Sequence, residues 1–80
     1  MTRGTRTIPN GLKKDWKKLA QVMKGVGWTF EDGSRHVKCF APDGIAYSTI
    51  PKTPSDHRAL KNETAAFRRW CRANGITPDI

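Results

Sequence analysis

The chain is short of acidic residues. Among its 80 residues, 7 are Asp or Glu against 15 Lys or Arg, a formal net charge of +8. That imbalance on so small a protein favours a polyanionic partner, RNA or DNA before a membrane surface. Cysteine is scarce as well. Cys39 and Cys71 are the two present, and each falls in an apolar pattern, which reads as a pair of buried free thiols rather than a disulfide framework. No apolar run is long enough to span a bilayer. The basic start, Met1 to Arg6, is not followed by the apolar stretch of a secretory signal. The expected location is therefore cytoplasmic, with no membrane partner. Glycine-rich nucleotide loops, nucleophile elbows and carboxylate pairs are all missing, which sets aside the common cofactor enzymes; no cofactor is expected. His36, Cys39, His57 and Cys71 lack the paired spacings of structural zinc, so no metal site is expected either.

A chain of this length makes one small domain. Residues 1–9 read as a flexible basic arm ended by Pro9, and residues 10–80 as the domain. Leu12, Trp16, Leu19, Ala20, Met23 and Val26 recur at spacings of three and four and predict a helix from about Leu12 to Lys24, stopped by Gly25 and Gly27. Trp28 to Glu31 alternates as a short strand. Asp32-Gly33-Ser34 is a turn, Arg35 to Ala41 a second strand, and Pro42-Asp43-Gly44 a tight turn in which proline presets one dihedral and glycine supplies a positive φ. Ile45 to Ile50 is a third strand, stopped by Pro51. Residues 51–58 read as an irregular linker. A second helix follows, its apolar face made by Leu60, Ala66, Phe67, Trp70 and Cys71, with Ser55-Asp56 or Asn62 as its cap and Asn74-Gly75 as its stop. The expected fold class is α+β: an α-β-β-β-α order with a three-stranded antiparallel sheet, both helices on one face and the other face open. A double-stranded-RNA-binding domain has the same topology.

His36 is the residue best suited to chemistry. RNA is cleaved without metal when a base takes the proton of a 2′-hydroxyl and the oxygen attacks the adjacent phosphorus. An unperturbed imidazole titrates close to neutrality and is suited to that transfer. Arg35, Lys38, Lys52 and Arg58 are the cations placed to offset charge on the phosphoryl oxygens, and Ser34 can donate a hydrogen bond. His57, in the linker, is a second proton-transfer group or a phosphate donor. The same residues also describe an ordinary hairpin that carries one exposed imidazole.

Two further features point to nucleic acid. Lys13, Lys14, Lys17, Lys18 and Lys24 lie opposite the apolar stripe of the first helix, and Lys61, Arg68, Arg69 and Arg72 lie opposite that of the second. Neither cationic face is interleaved with the acids that solubilised helices use for i,i+4 pairing, so phosphate contact is expected from at least one of them. Trp16, Trp28, Phe30, Phe67 and Trp70 fall on apolar faces and are expected in the core. Phe40 and Tyr47 lie on strands with one open face, and Tyr47 is the better candidate for contact with a base or ribose.

Gly33-Ser34-Arg35-His36, the following Pro42-Asp43-Gly44 turn and a strand ending in Pro51 together resemble the HicA toxins, small mRNA interferases of toxin–antitoxin systems. Gly27-Trp28 matches that family's helix-to-strand junction. Leu60-Lys61-Asn62-Glu63-Thr64 stands where the family has Leu-Pro-Lys-Gly-Thr, and Ala73-Asn74-Gly75-Ile76 stands at its closing motif. Arg35, between the Gly-Ser pair and the histidine, departs from the pattern. The resemblance runs from Leu12 to Ile76. It implies a fold like that of a double-stranded-RNA-binding domain, metal-independent endonucleolytic cleavage of mRNA by the single catalytic histidine His36, with Ser34 and Lys38 beside it, and a HicB-type antitoxin covering the active-site face. Two other functions fit the residues: a non-enzymatic RNA- or DNA-binding module of the same fold, and a small inhibitor that binds an acidic patch on a host protein.

Overall fold

The computed structural model describes residues 4–52 and 57–79, with His57 described by its backbone only. The elements run α1 (Lys14–Gly25), β1 (Thr29–Asp32), β2 (His36–Phe40), β3 (Tyr47–Pro51) and α2 (His57–Ala73), the expected α-β-β-β-α order. The sheet is an antiparallel meander, β1-β2-β3. Both helices lay their apolar stripes on one side of it: Trp16, Leu19, Ala20 and Met23 from α1, and Phe67 and Cys71 from α2, close over Phe30, Val37, Cys39 and Ile50. The molecule is 17 Å across its thinnest axis, the depth of one helical layer on one sheet. No helix among the described residues is long and apolar enough to cross a membrane.

Each helix stops by the same device. After α1, Gly27 takes a φ of 107°, so the Trp28 N–H donates to Met23 O at 3.0 Å and the Gly27 N–H to Lys24 O at 3.0 Å. After α2, Gly75 at 69° lets Ile76 N–H donate to Cys71 O at 2.8 Å. This left-handed glycine closure satisfies carbonyls that the last turn leaves unpaired. In α1 it also aims Trp28 back into the core before the sheet begins.

Register decides what each sheet face carries, because residues directly across a ladder share a face. Phe30, Cys39 and Ser48 form one rung, and Asp32, Val37 and Ile50 another; these face the helices. The intervening rungs, Thr29/Phe40/Tyr47, Glu31/Lys38/Thr49 and His36/Pro51, face away.

Three expectations are corrected. The segment before Pro9 is not wholly a free arm. Thr5 bridges to the outer edge of β1, with Thr5 N–H donating to Phe30 O at 2.7 Å and Phe30 N–H to Thr5 O at 2.6 Å, and Ile8 packs against the core. An unpaired strand edge offers backbone groups that the N–H and C=O of a passing segment can satisfy. The third strand begins at Tyr47 rather than Ile45, because the Asp43 carboxylate takes the N–H groups of Ile45 (2.8 Å) and Ala46 (3.1 Å) and holds them in the turn; Ile45 is left 84 % exposed. The third strand ends at Pro51 but includes it as its last residue instead of stopping at Ile50. The bonds Lys52 N to Arg35 O and Ala41 N to Ala46 O place position 51 at an outward-facing site by alternation, where proline's missing N–H breaks nothing. The helix boundaries shift by two residues or fewer at α1. At α2, Asn62 lies in the helix interior and is no cap; Ser55 and Asp56 lie outside the described residues.

Candidate functional site

His36 opens β2 on the face turned away from the helices, and its side chain is exposed. Two turn residues precede it, Ser34 and Arg35, both exposed. The tightness of that turn depends on Gly33: a Cβ there would lie 2.5 Å from the carbonyl oxygen of His36, so only glycine lets the chain fold back onto the residue that starts the strand. One rung further on the same face, Lys38 is exposed in the centre of β2. Two rungs on, Tyr47 projects from β3 at 72 % exposure beside half-buried Phe40. Lys38, Phe40, Tyr47 and Thr49 line a shallow depression of about 180 Å³. The open face thus holds an imidazole, a cation and two aromatic rings in line along the β2–β3 ladder.

Sequence reasoning missed two groups here. Glu31, half-buried, stands directly across the ladder from Lys38, so the cation faces a carboxylate before it faces any ligand. Lys52 was expected among the phosphate contacts. Its ammonium instead pairs with Asp32, and its side chain is 21 % exposed; it ties the end of β3 to the end of β1 beneath the turn that delivers His36. Neither pairing had a local signal, since both depend on strand register.

The other expected residues lie elsewhere. Lys13 at the start of α1 and Lys17 within it are exposed. Arg58 is exposed in the first turn of α2, which begins at His57; the His57 side chain lies outside the described residues. Arg68, Arg69 and Arg72 are exposed and, with Lys61 and Thr64, flank a groove of about 420 Å³ along the outside of α2. Because α2 lies on the sheet face opposite His36, this arginine row and the imidazole belong to opposite sides of the molecule. The structure places His36, Lys38 and Tyr47 on one sheet face, with exposed Ser34 and Arg35 in the turn beside it, and the helix arginines on the other side.

The turn at Pro42-Asp43-Gly44 has a role that its turn chemistry did not disclose. Asp43 Oδ1 accepts the two backbone N–H groups already described, and Oδ2 accepts the indole N–H of Trp70 on α2 at 3.0 Å. These bonds, the Ile45 N–H foremost, hold the Asp43 carboxyl below its ordinary pKa. On the core side, burial pushes the Cys39 thiol up to about 12, with the charge of Glu63 adding to the shift. Burial also raises the pKa of Cys71. Both cysteines are free and buried. No group of three or more His, Cys, Asp or Glu side chains among the described residues is placed to hold a metal ion.

Between β3 and α2 lies a cleft of about 480 Å³. Glu63 and Ser48 meet in it, the Ser48 hydroxyl donating to Glu63 Oε2, and Trp28, Phe67 and Trp70 contribute its aromatic wall. Compared with protein-family models, curated proteins and solved structures, the chain matches none of them.

Proposed function

We propose that the chain is a HicA-type, metal-independent endoribonuclease that takes mRNA across the open face of its sheet, with His36 as the catalytic base. The observation that carries this reading is the exposed imidazole on the same face as Lys38 and Tyr47, directly after a turn that presents Ser34 and Arg35. Neutral His36 accepts the proton of a 2′-hydroxyl. The 2′-oxygen bonds to the adjacent phosphorus and the bond from phosphorus to the 5′-oxygen breaks. The leaving oxygen takes a proton from the imidazolium or from water, and the products are a 2′,3′-cyclic phosphate and a 5′-hydroxyl. Arg35 and Lys38 offset the charge that builds on the phosphoryl oxygens. Tyr47 and Phe40 offer rings for base stacking. An antitoxin of HicB type would act by covering this face. A protein acting on mRNA would work in the cytoplasm.

Incubating the protein with a structured mRNA in EDTA, beside His36→Ala, tests the reading. Cleavage by the wild type and none by the variant is expected. Intact RNA with both proteins, together with equal gel shifts, would overturn it.

A second reading, a binding module without catalysis, is favoured by the arginine row of α2. It stands on the far side of the molecule from His36 and would hold phosphates whether or not RNA is cut. Under that reading, charge reversal at Arg68 and Arg72 removes RNA binding while His36→Ala leaves it intact.

A further inference from the structure

Three shallow depressions on the helical side of the molecule run into one another. The first lies against α1, between Lys18, Val22 and Val26 and the C-terminal segment 77–79. The second lies between that segment and Arg68 and Arg72 of α2, and it shares Thr77 and Pro78 with the first. The third continues along α2 to Lys61 and shares Arg68 and Arg72 with the second. Their volumes, in that order, are about 600, 330 and 420 Å³. Together they make one furrow across the helical layer.

Its charge is almost of one sign. Lys18, Lys61, Arg68, Arg69 and Arg72 stand exposed along it, and none of them pairs with a carboxylate among the described residues. Asp79 is the one acid among the described residues that line it. The acid of α2, Glu63, is held in the cleft by Ser48. No aromatic ring of the described residues lines the furrow. The open sheet face has the reverse composition: Phe40 and Tyr47 surround Lys38, which faces Glu31 across the ladder. Cations without rings hold the sugar–phosphate backbone and read no base, whereas rings hold bases by stacking. The two sides therefore suit different parts of a nucleic acid.

We infer that the furrow is a second, sequence-independent RNA site, and that one molecule holds two RNA segments at once, one by its phosphates in the furrow and one across the open sheet face. The inference rests on the reading of the open face as an RNA site. It goes beyond that reading, because neither cleavage nor a single binding surface requires two strands to be joined. The layers of helix and sheet separate the sites. Their 17 Å thickness is about twice the Debye length at physiological salt, roughly 8 Å, so a strand on one side repels a strand on the other only weakly.

The test uses 2′-O-methyl oligouridine nonamers, which neither pair with one another nor offer the 2′-hydroxyl that cleavage needs. One nonamer is fixed sparsely on beads and loaded with the full-length protein; after washing, a second, fluorescent nonamer is added. The wild type is expected to retain the fluorescent strand. Arg68→Glu with Arg72→Glu, and separately Arg35→Glu with Lys38→Glu, should still bind the bead strand and retain no second one. All four positions are exposed, so neither pair of changes disturbs the core. A wild type that binds the bead strand and joins no other, as it would if one strand wound round both sides, would overturn the inference and leave the ribonuclease reading standing. Joining that survives the Arg68 and Arg72 changes would trace it to contact between protein copies and overturn it equally. Joining that survives the Arg35 and Lys38 changes would show that RNA does not use the open face, and both readings would fall. An acidic peptide that binds the wild type but not the Arg68 and Arg72 variant, while that variant binds and joins RNA undiminished, would assign the furrow to an acidic protein and overturn the inference.

Discussion

Trp70 on α2 donates its indole N–H to Asp43 in the β2–β3 turn at 3.0 Å. The two residues are 27 positions apart, and this bond is a direct tie between the hairpin tip and the second helix. The other Asp43 oxygen holds the turn's own backbone, so one carboxylate both shapes the turn and anchors it.

Trp70→Phe keeps a ring beside Trp28 and Phe67 but removes the donor. It should lower Tm by a few degrees and raise hydrogen exchange at Ile45 and Ala46, whose turn loses its anchor. Unchanged exchange at those amides would show that the turn stands without the helix.

The same carboxylate sets an acid limit. Its folded pKa lies below the ordinary value of 3.8, so the unfolded chain binds the proton more readily. The contribution to stability is present above about pH 4 and is lost as pH falls through the folded value. Thermal denaturation from pH 6 to pH 2 should show a loss below pH 4 that Asp43→Asn reduces. A loss of equal size in the variant would assign the transition to other carboxylates.

The thiols set an alkaline limit. Cys39 moves from 9.0 in its ordinary state to about 12 in the fold, so the neutral form is favoured by folding. That stability is full below about pH 9 and falls as pH rises toward 12. At pH 8, iodoacetamide followed by mass spectrometry should modify neither Cys39 nor Cys71 in the folded protein, and both in denaturant. Rapid native labelling of Cys39 would contradict its burial.

Gly27→Ala should cost about 1–2 kcal/mol, because an alanine at that positive φ is strained and the α1 closure aims Trp28. A shift in urea midpoint with an unchanged slope would measure it. His36→Ala, at an exposed position, should leave stability within about 0.5 kcal/mol of wild type. A lost activity in that variant therefore reads as lost chemistry.

Much of this architecture was legible in short windows of sequence. The stripe from Trp16 to Met23, the glycines at 27 and 75, and the alternation that exposes His36 and Lys38 while burying Val37 and Cys39 are all periodic or turn signals within a few residues of one another. The misreadings have a common cause. The pairs Lys52 with Asp32, Lys38 with Glu31, Thr5 with Phe30 and Asp43 with Trp70 join residues from 7 to 27 positions apart. Composition at either end does not announce them, because each exists only once strand register and helix docking have been set. The Asp43 turn was recognised through its proline and glycine, yet the residue between them determines where the next strand starts. The cleft was invisible for the same reason: Trp28 comes from the α1–β1 connection, Ser48 from β3 and Glu63 from α2.

The bridge between Thr5 and Phe30 bears on how copies of this protein can associate. A sheet with two bare edges can add neighbours on both sides and grow without limit. Here the N-terminal segment takes one rung of the outer side of β1, at Phe30, and exposed, charged Asp32 follows it, so that edge offers a neighbouring strand fewer free backbone groups than an uncovered one does.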